Sequence, residues 1–339
     1  MNNPNTVGVD LAKNTFHLCI QNNKGNILKK VMLSRSKFKH FLATEEVSRI
    51  VFESCSTSHY WFRVASSYGH TVQLIHPTFV KAFVKTNKND FNDAEAICEA
   101  ASRPSMRYVS AKSIAQQDIQ LLHRIRQRQV QQRTAISNQI RGQLLEYGLT
   151  IPSGISQVKS RLSSYLEEAD NELTTLTREL FNELREELVA INLRISESDK
   201  KIKQMAAAHP VCERLMKIPG VGSITATALI STVGKASNFK NGRELSAWLG
   251  LVPKQHSTGG KSKLLGISKR GDSYVRTLLV QGAISAMTRC KNKTDNQLLW
   301  AQKLRAKKGL QKASVALANK MARIIWSVMA NDHDYVVMN

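Results

Sequence analysis

The pattern of hydrophobic and polar positions changes along the chain, and its first part predicts a mixed sheet. Short apolar and β-branched runs alternate there with polar turns and with stretches of helical spacing. Strands are expected at 6–10, 15–20, 27–33, 49–53 and 71–75, and helices at 36–43, near 58–67 and from 77 onward. A three-strand meander followed by alternating strands and helices is typical of an α/β domain with helices flanking the sheet.

The middle of the chain, from residue 111 to 205, has the composition of long helices. Turn residues at 147–154 predict one helix before them and another after them. In the second helix, apolar side chains recur every three or four residues, as in a helix that packs on a partner in an antiparallel or intermolecular coiled coil. This seam consists of Leu173, Leu176, Leu180, Leu184, Leu188, Ile191, Ile195 and Ile202.

The last part of the chain is predicted to be mostly helical, with two glycine-rich loops. The pattern therefore divides the chain into an α/β domain at 1–110, a helical region at 111–205 and an all-α domain at 206–330.

The strongly basic composition narrows the function. The chain has 49 Lys and Arg against 26 Asp and Glu, a net charge of +23 and an isoelectric point near 10.0. Residues 206–339 alone hold 21 basic and 6 acidic side chains. Such an excess is typical of a protein that binds a polyanion. An acidic membrane surface would call for a basic amphipathic anchor or a lipidation signal, and neither is evident. We therefore expect a nucleic-acid partner and no membrane partner.

Length and composition exclude several other classes. A chain of 339 residues with 42% hydrophobic residues is long enough to bury a large core. No apolar run reaches the roughly 18 residues of a membrane span, and the first residues show no secretory signal, so we expect a cytoplasmic protein. The cysteines are odd in number, scattered and without a C-x-x-C pair, which argues against a disulfide framework or a zinc finger and predicts mostly buried thiols. They are Cys19, Cys55, Cys98, Cys212 and Cys290.

Four acidic side chains occupy positions from which they can meet. Asp10 and Glu53 each end an apolar strand, and strands that pair side by side would bring both to one sheet edge. Asp90 and Asp93 are three residues apart, so a helix that begins here places both on one face. The ordinary alternatives are a turn contact for Asp10 and N-capping for Asp90 or Asp93.

Together the four carboxylates predict a metal site. Buried like charges raise each other's pKa unless a cation neutralises them. An oxygen-rich ligand set is the one that Mg²⁺ prefers, as in phosphoryl-transfer sites that use two metal ions.

The first glycine-rich loop, 216–225, resembles the hairpin of a helix-hairpin-helix module. Gly220 and Gly222 would let backbone N–H groups approach a phosphate at the start of the next helix. The alternative is an ordinary tight turn between two helices. A phosphate contact of this kind would position a nucleic acid without recognising its sequence.

The second glycine-rich stretch, 249–272, contains a candidate nucleophile. The Ser257 hydroxyl lies among cations that offset phosphate charge, and His256 is a candidate for proton transfer. A serine on a loop is more often a plain surface hydroxyl, and Thr258, Ser262 and Ser268 compete on the same grounds. The cations of this stretch, counted as nucleic-acid contacts, are Lys254, Lys261, Lys263, Lys269 and Arg270.

In their order along the chain, these motifs resemble the DEDD transposases of bacterial insertion sequences. This family includes pilin-gene invertases and recombinases guided by a bridge RNA. The motifs are Val7-Gly8-Val9-Asp10-Leu11-Ala12-Lys13, Phe52-Glu53-Ser54, Lys88-Asn89-Asp90-Phe91-Asn92-Asp93-Ala94, Ile218-Pro219-Gly220-Val221-Gly222, His256-Ser257-Thr258-Gly259-Gly260-Lys261 and Ile267-Ser268-Lys269-Arg270-Gly271. The resemblance covers about residues 5–330.

The resemblance implies a fold and a chemistry. It implies a RuvC-like RNase H fold domain with Asp10, Glu53, Asp90 and Asp93 as its catalytic, metal-binding tetrad, a coiled-coil middle that mediates oligomerisation, and a C-terminal transposase domain with Ser257 as nucleophile. Related sequences place this serine directly before a glycine, whereas Thr258 intervenes here. The expected cofactor is Mg²⁺, with Mn²⁺ as a substitute.

The implied reaction cuts and rejoins DNA through a phosphoserine intermediate. The expected partners are donor DNA, target DNA, a structured bridge RNA and further copies of the chain. About 160 residues separate the tetrad from the serine, so we expect the carboxylates of one protomer to meet the serine of another.

Other functions are compatible with parts of the sequence. A junction-cleaving nuclease would use the same carboxylates with water as nucleophile. A non-catalytic coiled-coil nucleic-acid-binding protein would leave the carboxylates without a role. A sugar kinase or actin-like ATPase shares the first strand, but lacks here a second phosphate loop and would not explain the charge.

Overall fold

The computed structural model describes residues 4–85, 89–289 and 295–337 and divides the chain into two compact units. They are Met1–Ser113 and Ile114–Asn339. Lys88 of the third motif and Cys290 lie outside the described residues.

The first unit is an α/β domain with a mixed sheet of six strands in the order β3-β2-β1-β4-β5-β6. Strands β1 to β3 form an antiparallel meander, β4 and β5 run parallel to β1, and β6 is antiparallel to β5. Their bounds are β1 Thr6–Leu11, β2 Thr15–Gln21, β3 Ile27–Ser34, β4 Arg49–Glu53, β5 Thr71–Ile75 and β6 Tyr108–Val109. The sequence did not predict β6.

Helices cover both faces of this sheet. They are α1 Arg35–Thr44, α2 Ser58–Ser67, α3 Pro77–Val80 and α4 Asp90–Ala101, with a 3₁₀ turn at Lys81–Phe83. Ile50 and Phe52 belong to one hydrophobic cluster and Val51 to another, because β4 is buried on both faces and has no polar alternation. Helical structure begins at Pro77 as predicted, ends after Phe83 and begins again at Asp90.

The second unit begins with two long helices that run antiparallel. Helix α5 spans Ile114–Leu145 and α7 spans Thr175–Ala207. The Ser198 hydroxyl of α7 donates to the Gln129 side chain of α5 at 3.1 Å, and Arg133 reaches Asn192 at 3.4 Å. The antiparallel partner that the seam called for therefore lies in the same chain. A single helix after the turn at 147–154 was predicted, but α6, Ile155–Glu167, precedes α7.

The buried seam of α7 differs from the predicted one at its start. Leu188, Ile191, Ile195 and Ile202 are buried, whereas Leu176 is 64% exposed and Leu180 is 51% exposed. The predicted steps of four residues turn Leu176 and Leu180 away from α5, because only alternating steps of three and four keep a seam on one side of a helix. Phe181 occupies the buried position instead. Leu173, which precedes the helix, is buried as predicted.

The rest of the second unit packs its helices around one apolar cluster, which also includes Ile119 of α5 and Ala206 of α7. The elements are α8 Pro210–Met216, α9 Ser223–Val233, α10 Gly242–Trp248, β7 Pro253–Thr258, β8 Lys261–Ile267, α11 Ser273–Arg289, α12 Asn296–Lys308 and α13 Leu310–Asn331, with a 3₁₀ turn at Ala236–Asn238. The second glycine-rich stretch is not a loop. It is largely the antiparallel hairpin of β7 and β8, which turns at Gly259 and Gly260.

The cysteines of the described residues are mostly buried, as their scattered positions predicted. Among them, Cys19, Cys98 and Cys212 are buried and Cys55 is half-buried, and all four are free thiols. No helix in the described ranges is both long and apolar enough to cross a bilayer.

Candidate active site

The four predicted carboxylates lie on two neighbouring strands and one helix of the first unit, β1, β4 and α4. Val9 pairs with Phe52 in the parallel ladder of β1 and β4, so the next residues, Asp10 and Glu53, lie side by side at the carboxyl ends of the two strands. Asp90 and Asp93 lie in the first turn of α4. Carboxylate oxygens of Asp10, Asp90 and Asp93 all lie within 4.8 Å of one another.

The start of α4 leaves both aspartates available. Asn89 is the N-cap residue, and its side chain accepts a hydrogen bond from the Phe91 N–H at 2.9 Å. The capping role that was the ordinary alternative for Asp90 and Asp93 is therefore filled by Asn89.

Gly8 allows α4 to lie directly on β1. A Cβ at this position would be 2.5 Å from the Ala94 carbonyl oxygen and 2.7 Å from the Cys98 sulfur. The Gly8 N–H instead donates to Cys98 Sγ at 3.1 Å. This close approach of helix and strand brings Asp93 toward Asp10. Sequence reasoning gave Gly8 no role, although a glycine inside a strand is a signal of close backbone contact.

Burial and mutual repulsion perturb the carboxyl groups. Burial raises the pKa of Asp10 above its ordinary value, and the charges of Asp93 and Asp90 raise it further. Glu53 lies outside the group of three, but burial and the charges of Asp10 and Asp93 raise the pKa of Glu53 as well. All four acids therefore belong to one electrostatic cluster, and the direction of both shifts is the predicted one.

A fifth acid on the same helix has the opposite environment. Glu95 forms ion pairs with Lys30 at 2.7 Å and with Lys85 at 3.2 Å. The hydrogen bond from Lys30 lowers the pKa of Glu95 below its ordinary value. The cluster around Asp10 thus differs from its neighbour in having repelling acids where Glu95 has lysines.

The residues of the cluster fit a divalent cation. Their donor atoms are carboxylate oxygens, the ligands that hard cations such as Mg²⁺ and Mn²⁺ prefer. A cation among Asp10, Asp90 and Asp93 would offset the repulsion that raises the pKa of Asp10.

His17 belongs to this site, and sequence reasoning missed it. It lies opposite Asp10 in the β1–β2 ladder, and its Nδ1 is 3.6 Å from Asp90 Oδ2. Its ring meets the edge of Phe91 with centroids 4.8 Å apart. The imidazole is only 11% exposed, and its buried Nδ1 has no hydrogen-bond partner among the described residues. The signal in the sequence was the hairpin register that pairs residue 17 with residue 10.

The predicted nucleophile lies in the second unit, on the β7–β8 hairpin. Ser257 pairs with Ser262 across the hairpin and accepts a hydrogen bond from the Gln255 side-chain amide at 2.8 Å. All residues of β7 are exposed, and β8 is exposed up to Gly266. The hairpin therefore presents both of its faces to solvent, and the serine is accessible.

The cations of the hairpin lie on the face opposite to Ser257. His256 pairs with Lys263 and Thr258 pairs with Lys261, and neighbouring residues of a strand point to opposite faces. Thr258 therefore shares its face with His256, Lys261 and Lys263. The structure does not group Ser257 with the lysines that were expected to surround it.

Close backbone contacts hold the base of the hairpin. Gly250 has φ +73°, and a Cβ there would lie 2.2 Å from the Arg270 carbonyl oxygen. The Arg276 guanidinium donates to that same carbonyl at 2.9 Å and to the Leu249 carbonyl at 3.0 Å. Lys269 and Arg270, two predicted nucleic-acid contacts, are thus held at the point where the hairpin joins the helices, and Lys254 is exposed on β7.

The two glycines of the first motif have different surroundings. Gly220 has φ +87° and packs against α11, where a Cβ would lie 2.4 Å from the Gly282 carbonyl oxygen. Gly222 is the N-cap of α9, and a Cβ there would meet no atom within 4 Å. The backbone at Gly222 is open to a ligand, whereas Gly220 has a packing requirement of its own.

Comparison with known proteins places this geometry in context. Residues 7–149 match the model of the DEDD transposase domain, and residues 212–298 match that of the transposase IS116/IS110/IS902 family. The chain is 43% identical to the transposase for insertion sequence element IS1111A of Coxiella burnetii, over 97% of this chain and 90% of the relative. It is 42% identical to the transposase for IS1328 of Yersinia enterocolitica, over 97% of each chain. A pilin gene-inverting protein of Moraxella lacunata is 23% identical over 82% of this chain and 81% of its own.

Proposed function

The chain belongs to the IS116/IS110/IS902 family of insertion-sequence transposases, which makes it an enzyme that cuts and rejoins DNA, and we propose that it does so at the Asp10 carboxylate cluster. The observation that carries this proposal is the convergence of Asp10, Asp90 and Asp93 within 4.8 Å. The mixed sheet, with carboxylates at the ends of β1 and β4, supports the assignment of a RuvC-like RNase H fold to the first unit.

Asp10, Glu53, Asp90 and Asp93 form the proposed catalytic tetrad, with Mg²⁺ as the proposed cation and Mn²⁺ as its substitute. When bound, such a cation supplies Lewis-acid stabilisation of the charge that develops on the phosphate and leaving oxygens. The carboxylates would hold the cation in place. Burial and the charges of Asp93 and Asp90 raise the pKa of Asp10, and a bound cation would relieve this repulsion, which favours its binding.

Ser257 is the proposed nucleophile. Its Oγ forms a bond to a DNA phosphorus while a phosphorus–oxygen bond of the strand breaks. The hydroxyl proton leaves Oγ, and the released strand oxygen takes up a proton. Attack by a strand end in the reverse direction frees the serine, so the number of phosphoester bonds is conserved and no ATP is needed. The Gln255 amide that donates to Ser257 supports this role, because it stabilises negative charge on Oγ.

Nucleic-acid contacts are proposed at Gly222 and Gly220, at Lys254, Lys261 and Lys263 of the hairpin, and at Lys269 and Arg270 at its base. The net charge of +23 supports contacts to phosphates. These contacts would hold donor and target DNA and a structured bridge RNA, which is the proposed source of sequence specificity.

A composite site between copies of the chain is also proposed. The tetrad and Ser257 belong to different units of one chain. In a homo-oligomer, the carboxylates of one protomer would act with the serine of another. We expect this assembly in the cytoplasm.

Covalent trapping tests the chemistry. End-labelled element-end DNA is incubated with protein and Mg²⁺, and adducts that survive denaturation are resolved on a gel. Ser257→Ala should abolish the adduct, and Thr258→Val, its matched control on the neighbouring position, should retain it. Asp10→Asn should abolish both adduct and cleavage. Cleavage by Ser257→Ala at the wild-type rate would identify a nuclease that uses water instead.

Mixing of variants tests the composite site. Asp10→Ala and Ser257→Ala are each expected to be inactive, and their mixture should regain part of the wild-type adduct. A mixture as inactive as its components would contradict a site shared between protomers.

Sequencing of copurified nucleic acid tests the guide. A uniform structured RNA encoded beside the gene is expected. Recovery of only heterogeneous cellular RNA, together with full activity after ribonuclease treatment, would contradict the bridge-RNA proposal.

A further inference from the structure

A second basic region lies at the junction of α12 and α13, later in the sequence than the hairpin motifs. Five cations, all exposed, follow one another over a short stretch of chain. They are Lys303, Arg305, Lys307, Lys308 and Lys312, and we refer to them as the junction surface.

Among the residues that the structure describes, acidic side chains do not pair with these charges. The segment 296–331 contains seven Lys and Arg residues and no Asp or Glu. Within the described parts of the chain, none of the five cations of the junction surface forms an ion pair. By contrast, the half-buried Arg214 and the exposed Lys217 of the same unit pair with Asp332 and Asp334. Concentrated charge of one sign destabilises a folded chain through self-repulsion, so a polyanionic partner is the natural complement.

Helix dipoles do not account for the arrangement. Arg305, Lys307 and Lys308 lie in the last turn of α12, where cations interact favourably with the helix C-terminus. Lys312, however, lies in the first turn of α13, where the dipole disfavours a cation. That turn contains no acidic residue, and its N-cap is Gly309, which has no side chain. The junction surface therefore includes a charge that the fold itself opposes.

The flank of the surface indicates which form of nucleic acid it suits. Trp300, Lys303 and Lys307 share one side of α12, opposite the buried Leu298 and Ala301. Lys320 Nζ lies over the Trp300 ring, 5.0 Å from its centroid. A cation therefore occupies one face of this ring, where an unpaired base would otherwise stack. Contacts to the phosphates of a duplex remain the chemistry that this surface supports.

We propose that the junction surface binds the phosphate backbone of double-stranded DNA. The proposal adds a binding site to those of the hairpin, and it rests on DNA being the substrate of the enzyme but not on the identity of its nucleophile. Its contacts would increase affinity for every duplex alike, because they reach phosphates and not base edges.

The salt dependence of binding tests the proposal. Affinity for a fluorescein-labelled random DNA duplex of about 30 base pairs is measured by anisotropy over a range of KCl concentrations. In the variant Lys303→Gln/Arg305→Gln/Lys307→Gln/Lys308→Gln/Lys312→Gln, the slope of log K against log[KCl] should lose about four, since each phosphate contact contributes about 0.9. Affinity at about 0.1 M KCl should fall at least tenfold.

A matched control removes the same charge elsewhere in the second unit. The variant Lys159→Gln/Arg161→Gln/Lys200→Gln/Lys201→Gln/Lys203→Gln changes five exposed cations of α6 and α7. It should retain nearly the wild-type slope. Equal slopes in the two variants would overturn the proposal, because only net charge would then matter.

Two further measurements keep the outcome decisive. If the fivefold variant does not fold, the double variant Lys303→Gln/Lys307→Gln should still lose about two from the slope. A duplex RNA of the same length is titrated in parallel. Loss of RNA binding with unchanged DNA binding would overturn the proposal in favour of an RNA contact. The variant of the junction surface should still form the covalent adduct on saturating DNA, which would show that this site binds DNA without taking part in the Ser257 chemistry.

Discussion

His17 and Asp90 meet beside the carboxylate cluster, with His17 Nδ1 3.6 Å from Asp90 Oδ2. The histidine comes from β2 and the aspartate from the first turn of α4. The imidazole packs edge-on against Phe91, which fixes the ring beside the Asp90 carboxylate. We therefore expect His17 to position a proposed metal ligand, since it is not one of the residues whose ligand atoms converge.

We expect His17→Ala to weaken Mn²⁺ binding to the full chain by about tenfold, the usual effect of removing a group that orients a metal ligand. Calorimetric titration of Mn²⁺ measures this without DNA or turnover. His40, an exposed histidine of α1, provides the control, and His40→Ala should bind Mn²⁺ as the wild type does. Equal affinities in the two variants would show that Asp90 is oriented without His17.

Asp10→Asn should stabilise the metal-free protein. Since the pKa of Asp10 is raised in the folded state, the folded chain binds the Asp10 proton more tightly than the unfolded chain does. The charged Asp10 carboxylate therefore destabilises the folded state as pH rises above 3.8, the ordinary pKa of the group. The melting temperature without metal should rise by about 2–4 °C per kcal/mol of relieved repulsion, and more at pH 7 than at pH 4. Mg²⁺ is expected to raise the melting temperature of the wild type, and this increase should disappear in Asp10→Asn.

The control for this experiment lies on the same helix. Glu95→Gln removes a carboxylate that Lys30 and Lys85 neutralise, so it should lower the melting temperature and retain the Mg²⁺ effect. A Mg²⁺ effect of the same size in Asp10→Asn would show that Asp10 is not a ligand.

The sequence predicted the first unit well where local patterns suffice. The bounds of β4, α2 and β5 agree with the predicted 49–53, 58–67 and 71–75. Strand β6 is only Tyr108–Val109, too short to produce a periodic pattern. The β7–β8 hairpin was missed because both of its faces are exposed, so its sequence shows no alternation of apolar and polar residues.

In the site, too, residues that follow a local sequence pattern were predictable, and those that depend on strand register were not. Asp10 and Glu53 were predictable together because the ends of neighbouring parallel strands share a sheet edge, and Asp90 and Asp93 because of their helical spacing. His17 required the register of a hairpin. The separation of Ser257 from the lysines of its own motif likewise depends on strand geometry, which residue types alone do not specify.

The two glycines of the first motif should respond differently to substitution. Gly220→Ala places a methyl group against the Gly282 carbonyl and opposes a positive φ, so we expect a loss of about 2 kcal/mol or more in the free energy of unfolding. Gly222→Ser keeps a good N-cap residue in open space, so stability should not fall, while DNA binding should weaken where the backbone approaches a phosphate. Urea unfolding and anisotropy measure the two effects. Equal destabilisation by both substitutions would contradict this division of roles.

His123 should make the second unit less stable in mild acid. Its ring is buried between the Tyr274 hydroxyl at 3.0 Å and the Thr227 hydroxyl at 2.9 Å, and burial lowers the pKa of His123 to about 4. The unfolded chain therefore binds the proton first as pH falls from 6.5 toward 4, and up to about 3 kcal/mol of stability should be lost in that window. In urea unfolding at pH 7 and pH 5, His123→Gln should be less stable at pH 7 but should show a smaller decrease, while the exposed His256→Gln keeps the wild-type decrease. A wild-type decrease in His123→Gln would assign the acid sensitivity to another group, such as His59, where burial also lowers the pKa to about 4.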